Sequence, residues 1–359
     1  MKLATRILLL AILPSARLVS AQTTDSWHED GGTPAIVSQE LQFRNGDAQL
    51  QGTVYLPNGG GPLPGVVVLH DATAGTRDAA LYTHLREGLP GLGFAVLIYD
   101  RRGSGRSSGN QASADFETLA DDAIAGQRAL ASMSRVDPNR IGFWGLSQGG
   151  WLAVLAAGRS PNAAFAISVS APLVTAEEQM EFATRNLLAI RGYSESDVHD
   201  MLEARKAWNS YLHGSSSRET AMEALRSVES KPWFGLAYLP RAAELPPDPE
   251  QDPSRRRLDD DAMAAVAKAK VPMLFLFGGA DPWVPVAKSM ERLQTLEKET
   301  HRIEFAVIAN ANHEMMFEAN ERMEIKPEAA ATRAPQAPAY FLRLGSWLCR
   351  QVLSTAPER

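Results

Sequence analysis

Three residues of this sequence have types and an order suited to nucleophilic catalysis: Ser147, Asp281 and His313. Ser147 is the centre of a G-x-S-x-G pentapeptide, and the other two each follow a later apolar run. A serine hydroxyl is a poor nucleophile unless a neighbouring base accepts its proton during attack. The order Ser, Asp, His therefore predicts Ser147 as nucleophile, His313 as its base and Asp281 as the residue orienting that base.

The surroundings of Ser147 favour a nucleophile over a simple turn. A G-x-S-x-G pentapeptide alone also occurs as a tight turn, but here the apolar run 141–144 precedes it and a helical pattern over 151–155 follows it. This context predicts a nucleophile elbow, in which the serine occupies a strained turn. Gly145 and Gly149 would leave room where the strand and helix backbones approach each other.

Asp281 and His313 follow the apolar runs 271–277 and 303–308 after short loops. The carboxyl ends of parallel strands meet at one edge of a sheet, so both residues are expected at the edge that carries Ser147. Taken singly, His313 could make only a local hydrogen bond, and Asp281 could be a turn residue before Pro282. Their joint placement favours a catalytic pair.

An acyl transfer also needs donors for the negative charge that develops on the carbonyl oxygen. The backbone N–H of Gln148, directly after Ser147, is the first expected donor. The second is expected from the loop 70–75, with the Ala72 N–H as the best candidate. The side chain of His70 could brace that loop or take part in catalysis, and both interpretations stay open.

The sequence pattern predicts that alternating strands and helices position these residues. Continuous apolar runs of strand length predict strands covered on both faces. These runs are 65–69, 94–99, 141–144, 164–169, 271–277 and 303–308. The clearest helical spacing covers 116–130 and ends before an Asp137-Pro138-Asn139 turn, and 41–44 with 49–56 predicts an edge hairpin around Asn45-Gly46-Asp47. The pattern predicts an α/β fold with a mostly parallel sheet.

About 100 residues separate the strands that end near Ser170 and begin at Val271, which is far more than an ordinary connection. We expect a helical lid over the carboxyl edge of the sheet, with helices over 180–202 and 221–228 and a surface loop over 244–261. Five aromatic residues of this insertion could line an apolar acyl pocket, but packing within the lid itself is favoured. They are Trp208, Tyr211, Trp233, Phe234 and Tyr238.

The segment 99–107 reads Y-D-R-R-G-S-G-R-S and is similar to a D-x-R-G-x-G-x-S loop of the α/β-hydrolase superfamily. With the Ser147 elbow, it makes the chain resemble the bacterial esterase, serine-aminopeptidase-like and dienelactone-hydrolase-like branches over 41–170 and 271–350. The resemblance implies an α/β-hydrolase fold with the lid inserted before the strand carrying Asp281. It also implies that Asp100 and Arg101 make local, structural hydrogen bonds.

Two departures from the family pattern bear on activity. His70-Asp71 stands where the oxyanion loop commonly has His-Gly, and Ser147 stands where dienelactone hydrolases have cysteine. The resemblance therefore does not carry dienelactone hydrolase activity to this chain.

The sequence predicts five divisions of the chain. The predicted divisions are a signal peptide (1–21), an N-terminal extension (22–40), the first part of the core (41–174), the lid (175–265) and the second part of the core (266–359). Lys2 and Arg6 precede an apolar run with small residues before Gln22, which predicts export to the periplasm or medium after cleavage near Ala21. That run is too short to span a bilayer, so no stable membrane anchor is expected.

The favoured function is hydrolysis of carboxylic esters (EC 3.1.1.-) through an acyl-enzyme, with a small-molecule acyl substrate and no metal or organic cofactor. The net charge of −6 gives no electrostatic footprint for nucleic acid, and no Cys/His spacing resembles a zinc site. Acyl-thioester hydrolysis and an aminopeptidase-like activity using Glu177, Glu178 or Glu181 are alternatives. A binding protein on a hydrolase scaffold is the non-enzymatic alternative. The sequence makes no prediction of oligomeric state.

Overall fold

The computed structural model describes residues 35–72, 75–110, 114–252, 254–317 and 336–354. The predicted signal peptide, 1–21, lies outside these residues, as does most of the predicted extension, 22–40. Secondary structure begins within the range predicted as extension, because the first strand starts at Ile36.

The described residues form one eight-stranded, mostly parallel sheet. The strands are β1 (Ile36–Asn45), β2 (Ala48–Pro57), β3 (Leu63–Leu69), β4 (Ala95–Tyr99), β5 (Val136–Leu146), β6 (Ala166–Val169), β7 (Met273–Gly278) and β8 (Ile303–Ile308). Their order across the sheet is β1-β2-β4-β3-β5-β6-β7-β8. The β1–β2 and β2–β4 pairs are antiparallel and the others are parallel. The predicted α/β fold is confirmed.

Burial explains why the apolar runs located the central strands. Strands β3, β4, β6 and β7 are buried along their whole length, as expected for parallel strands covered on both faces. The side chains alternate between two hydrophobic clusters. For example, Val67 and Leu97 belong to one cluster, whereas Val66 and Val96 belong to the other.

The predicted edge hairpin is present and is longer than expected. Strands β1 and β2 pair from Ile36 opposite Pro57 to Asn45 opposite Ala48, and Gly46 takes a positive φ of 59° in the turn. The first five residues of β1 are exposed. Because an exposed edge strand buries neither face there, residues 36–40 carry no apolar run by which the sequence could have marked them.

Strand β5 also begins earlier than predicted, at Val136. The Asp137-Pro138-Asn139 segment was expected to be a turn outside the strands, and the structure includes it in β5. The Leu63 N–H donates to the Arg135 carbonyl over 2.8 Å, and the register shifts before Gly65 pairs with Ile141. This irregularity accommodates Pro138, which lacks an N–H to donate.

Helices cover both faces of the sheet and form the insertion. They are α1 (Thr83–Gly91), α2 (Phe116–Ala131), α3 (Gln148–Arg159), α4 (Ala176–Ile190), α5 (Glu195–Leu212), α6 (Arg218–Val228), α7 (Ala262–Lys268), α8 (Val286–Thr300) and α9 (Pro338–Leu348). Helices α2, α3, α7 and α8 pack on one face, and α1 and α9 pack on the other. Within the described ranges, none of these helices has both the length and the apolar character of a membrane span.

The insertion between β6 and β7 contains α4, α5, α6 and α7, with short 3₁₀ turns between α6 and α7. The sequence predicted continuous helix over 180–202, but the structure divides this range into α4 and α5. The break contains Gly192, whose φ is 83°, and Ser194 caps α5 by accepting a hydrogen bond from the Asp197 N–H. A left-handed glycine followed by a serine cap ends one helix and begins another.

Helices α4 to α6 enclose a hydrophobic cluster of their own, separate from the two clusters of the sheet. Trp208, Tyr211, Trp233 and Phe234 are buried in this cluster, so the favoured packing interpretation holds for them. Tyr238 differs, because it is 57% exposed and meets Trp283 edge-on at 6.5 Å between ring centroids. Tyr238 therefore contacts the loop after β7.

Candidate active site

Ser147 occupies the turn that joins β5 directly to α3. Its φ of 56° and ψ of −120° are unusual for a residue with a Cβ, and such strained conformations cluster at functional sites. The Ser147 N–H donates to the Val169 carbonyl over 2.8 Å, and the Ser147 carbonyl accepts from the Gly150 N–H over 2.9 Å. These bonds hold the strained residue between the end of β6 and the first turn of α3.

The two glycines of the elbow are required by close backbone contacts. A Cβ on Gly145 would lie 1.9 Å from the Gly149 carbonyl oxygen, and a Cβ on Gly149 would lie 2.3 Å from the Leu69 carbonyl oxygen. Neither glycine has a positive φ, so the reason is space. The contact of Gly149 with Leu69 also brings the loop after β3 against the elbow.

Replacing Gly145 with alanine is expected to destabilise the protein by more than about 3 kcal/mol, because the new methyl group overlaps backbone that cannot move independently. Urea unfolding measures this change. Gly88→Ala is the matched control, since a Cβ at Gly88 in α1 would meet no atom within 4 Å. This substitution is expected to raise the free energy of unfolding by up to about 1 kcal/mol. A Gly145→Ala variant as stable as the parent would contradict the tight elbow.

Asp281 and His313 form a hydrogen-bonded pair at the carboxyl edge of the sheet. His313 Nδ1 lies 2.8 Å from Asp281 Oδ2, and the Asp281 side chain has no exposed surface. The other carboxylate oxygen, Oδ1, accepts from the N–H groups of Trp283 at 2.8 Å and Val284 at 3.2 Å. Because both oxygens have partners, the carboxylate is held in one orientation.

The two loops that carry this pair touch each other. A Cβ on Gly278, at the end of β7, would lie 2.3 Å from the Asn312 carbonyl oxygen, which precedes His313. The Asn312 side-chain oxygen accepts from the N–H groups of Glu314 at 3.0 Å and Met316 at 2.8 Å. These contacts fix the backbone on both sides of His313.

The geometry defines the chemistry available to the imidazole. A carboxylate oxygen only accepts, so in the neutral ring Nδ1 carries the proton and Nε2 is the nitrogen that can act as a base. The structure brings Asp281 and His313 into direct contact and places Ser147 at the same sheet edge. The Asp281–His313 hydrogen bond is formed, whereas a hydrogen bond from the Ser147 hydroxyl to His313 stays a prediction, since such bonds often tighten only when substrate binds.

The two backbone N–H groups predicted to bind the oxyanion are those of Gln148 and Ala72. The Gln148 N–H opens α3, and it has no hydrogen-bond partner among the described residues. In the loop after β3, the Asp71 N–H donates to the Tyr82 hydroxyl over 3.0 Å, whereas the Ala72 N–H has no partner in the described part of the chain. The Asp71 N–H is thus already bonded within the protein, and the Ala72 N–H stays the predicted second donor.

His70 braces the loop after β3. The buried ring lies with Nε2 at hydrogen-bond distance from the Tyr99 carbonyl oxygen and meets Tyr82 edge-on at 5.0 Å. Burial lowers the pKa of His70 to about 4, so the ring is neutral at pH 7 and Nε2 is the donor. Of the two interpretations that the sequence left open, the contacts support the structural one.

The loop after β4 has the local hydrogen bonds that the resemblance implied. Asp100 Oδ1 accepts from the Arg77 N–H at 2.8 Å, and Oδ2 accepts from the Arg106 N–H at 2.9 Å. A Cβ on Gly105 would lie 2.4 Å from the Asp100 carboxyl carbon. The Asp100 carboxylate therefore holds the backbone of this loop through hydrogen bonds to two of its surrounding N–H groups.

The acidic residues considered for amine recognition each have a protein partner. Glu178 pairs with Lys288 and accepts from the Thr175 N–H, and Glu181 lies 3.7 Å from Arg185. Glu177 accepts from Asn209 at 2.9 Å and lies 3.1 Å from His213. These carboxylates stabilise the lid and its contact with α8.

Glu177, His213 and Asp259 form the group in the described residues whose ligand atoms, all within 4.8 Å of one another, could hold a cation. The same groups already make a hydrogen bond and ion pairs that need no metal, because His213 lies between the two carboxylates and Arg255 pairs with Asp259 at 3.1 Å.

A cavity of about 810 Å³ lies beside the Asp281 loop, between α4 and α8. Its wall is mostly apolar, with charged pairs at the rim from Glu178 with Lys288 and Glu181 with Arg185. The apolar wall includes Phe182, Val284, Val286, Met290 and Val307. The cavity is large enough for a small molecule, and its described lining includes Asp281 but neither Ser147 nor His313.

Comparison with known families gives the class of the protein. The model of the alpha/beta hydrolase family matches residues 66–324, and the chain belongs to this family. Strands β4 to β8, the end of β3, the Ser147 elbow and the Asp281–His313 pair lie within the matched range.

Curated relatives match part of this chain. An uncharacterized protein of Mycobacterium tuberculosis is 36% identical over 121 residues, which are 34% of this chain and 41% of that protein. The quorum-quenching protein AidA of Acinetobacter baumannii is 31% identical over 130 residues, which are 36% of this chain and 42% of that protein. The chain therefore matches less than half of the length of these relatives.

Solved structures share the fold at low sequence identity. An esterase of Pyrococcus furiosus is 18% identical with a TM-score of 0.55, over 88% of this chain and 92% of that one. A dienelactone hydrolase-like promiscuous phosphotriesterase from metagenomic libraries is 14% identical with a TM-score of 0.51, over 88% of this chain and 99% of that one. At such identities the similarity establishes the fold alone.

Proposed function

We propose that the protein is a serine hydrolase that cleaves carboxylic esters through an acyl-enzyme. The observation that carries this proposal is the Asp281–His313 hydrogen bond of 2.8 Å at the sheet edge where Ser147 occupies a strained turn. Membership of the alpha/beta hydrolase family and the fold shared with an esterase support it. The chemistry needs a hydroxyl, a base with the correct tautomer and donors for an oxyanion, and the chain has a candidate for each.

In the proposed first half-reaction, Ser147 Oγ attacks the ester carbonyl carbon while His313 Nε2 takes the hydroxyl proton. Asp281 stabilises the imidazolium that forms, because its carboxylate faces Nδ1. The oxyanion is bound by the N–H groups of Gln148 and Ala72. The C–O bond to the alcohol then breaks, and the imidazolium donates its proton to the leaving alkoxide.

In the second half-reaction, His313 takes a proton from water, whose oxygen attacks the acyl carbon bound to Ser147. The tetrahedral intermediate collapses, Ser147 leaves with the proton from His313, and the carboxylic acid is released. Thioesters would react through the same steps with a thiol as the leaving group. The substrate range is therefore a property of the lid and the cavity, and ester hydrolysis is the activity that the neighbours favour.

The experiment that tests the proposal combines active-site labelling with substrate profiling. The protein is treated with a fluorophosphonate probe, and turnover is measured on acyl esters, acyl thioesters and aminoacyl amides in parallel. We expect one labelled serine, Ser147, and the highest kcat/KM on acyl esters. Absence of labelling with no turnover would favour a binding protein, and the highest turnover on aminoacyl amides would favour a peptidase.

A further inference from the structure

Arg101 connects the two chain segments that carry the proposed oxyanion donors. Its Nη2 donates to the side-chain oxygen of Gln148 over 2.6 Å and lies 3.5 Å from the His70 carbonyl oxygen. Its backbone N–H donates to the Gly75 carbonyl over 2.8 Å. Arg101 thus contacts both ends of the loop 70–75, which contains Ala72, and also the residue that follows Ser147.

Arg101 is unusual because its guanidinium is buried without a direct ion pair, although the charge of the nearby Asp71 opposes the lowering of its pKa by burial. The residue is 5% exposed, and the described residues include no ion-pair partner for it. Its neighbour Arg102 is equally buried, but it forms a two-point ion pair with Asp122 at 2.7 and 3.0 Å. A buried charge without a direct ion pair is costly, so structural stability alone does not account for Arg101.

Burial lowers the pKa of Arg101, yet a guanidinium stays charged at any pH at which the protein is folded. Its positive charge therefore lies permanently behind the elbow. A charge-assisted hydrogen bond of 2.6 Å to Gln148 is stronger than a neutral one and restrains the first residue of α3. The Gln148 backbone N–H is an oxyanion donor in the proposed mechanism, and its direction depends on that residue.

We propose that Arg101 is a positioning residue that fixes the Gln148 and Ala72 N–H groups in the geometry that binds the oxyanion. This inference rests on the proposed serine hydrolase function. Arg101 does not touch the reacting atoms, and it acts through the side chain of Gln148 and through the carbonyl groups of His70 and Gly75. Its effect is expected where negative charge develops, and binding of the neutral ester should be nearly unaffected.

The test compares Arg101→Met and Arg101→Lys with Arg102→Lys on a p-nitrophenyl ester, with kcat calculated per serine titrated by the fluorophosphonate. For Arg101→Met we expect kcat about 10- to 100-fold lower, with KM within about 3-fold of the parent, because the donors are misplaced and not removed. Arg101→Lys keeps the charge and one donor and should recover part of this loss. Arg102→Lys should lower the melting temperature and leave kcat unchanged.

Gln148→Ala identifies the route of the effect. Arg101→Met and Gln148→Ala each remove the hydrogen bond between the two side chains. The double variant is therefore expected to have a kcat within about 3-fold of that of Arg101→Met alone. The inference is overturned if the kcat of Arg101→Met, calculated per titrated serine, equals that of the parent. It is also overturned if the variant has a raised KM and an unchanged kcat. Failure of the serine hydrolase function itself would be distinguishable, because the parent would then show neither labelling nor ester turnover.

Discussion

Ser147→Ala is expected to lower kcat for ester hydrolysis by about 10⁴- to 10⁶-fold, because no other group of the site supplies the attacking oxygen. The fold should be retained, since the backbone bonds of residue 147 to Val169 and Gly150 do not involve its side chain. The measurements are kcat on p-nitrophenyl esters, labelling by the fluorophosphonate, and circular dichroism. A folded variant that keeps the parental activity would end the mechanism proposed here.

Ser147→Gly is the matched second variant. It also removes the hydroxyl, but it relieves the backbone strain at φ 56°, which costs of the order of 1 to 3 kcal/mol. We therefore expect Ser147→Gly to be as inactive as Ser147→Ala and more stable to urea. Equal stability of the two variants would mean that the elbow stores no strain at this position.

Asp281→Asn is expected to lower kcat by about 10⁴-fold with little change in stability. The N–H groups of Trp283 and Val284 both point at the Oδ1 position, so the amide oxygen of the asparagine must occupy it. The amide nitrogen then faces His313 Nδ1 and donates to it. This places the imidazole proton on Nε2, which can no longer accept a proton from Ser147.

The control for this change is Asp137→Asn. Asp137 also accepts from a backbone N–H, that of Asn139 at 3.0 Å, and from Arg140 at 2.9 Å, and it lies in the early part of β5. Its replacement should leave kcat unchanged. If Asp281→Asn kept kcat within about 10-fold of the parent, His313 would not depend on that carboxylate for its tautomer.

Much of the fold was readable from the sequence because the central strands are buried on both faces. The apolar run 94–99, for example, corresponds to the fully buried strand β4. The edge strand β8 is partly exposed, and it also has the predicted bounds of 303–308. The same logic located Asp281 and His313 at one sheet edge, where their side chains meet. The exposed start of β1 and the break between α4 and α5 carry no such signal.

The contacts that complete the site depended on tertiary structure. Arg101 and Gln148 lie 47 residues apart, and nothing in either local pattern indicates that the guanidinium bonds the side chain next to Ser147. His70 could be assigned to bracing only once its bond to the Tyr99 carbonyl was known. A family motif marks such residues as unusual, but their partners are fixed by how separate loops fold together.

The insertion between β6 and β7 leaves the sheet and returns to it with its two ends tied together. Thr175 forms a bridge with Asp261, and Asp261 in turn binds Arg292 of α8 at 2.5 Å. With an aromatic interior of its own, the insertion places no demand on the spacing of β6 and β7, which pair directly. The insertion reaches the Asp281 loop through α4, where Gln179 and Asn186 donate to the carbonyl groups of Trp283 and Pro282 at 3.2 and 2.9 Å. Substitutions in its interior that spare these two side chains can therefore change the insertion while the pairing of β6 with β7 stays as it is.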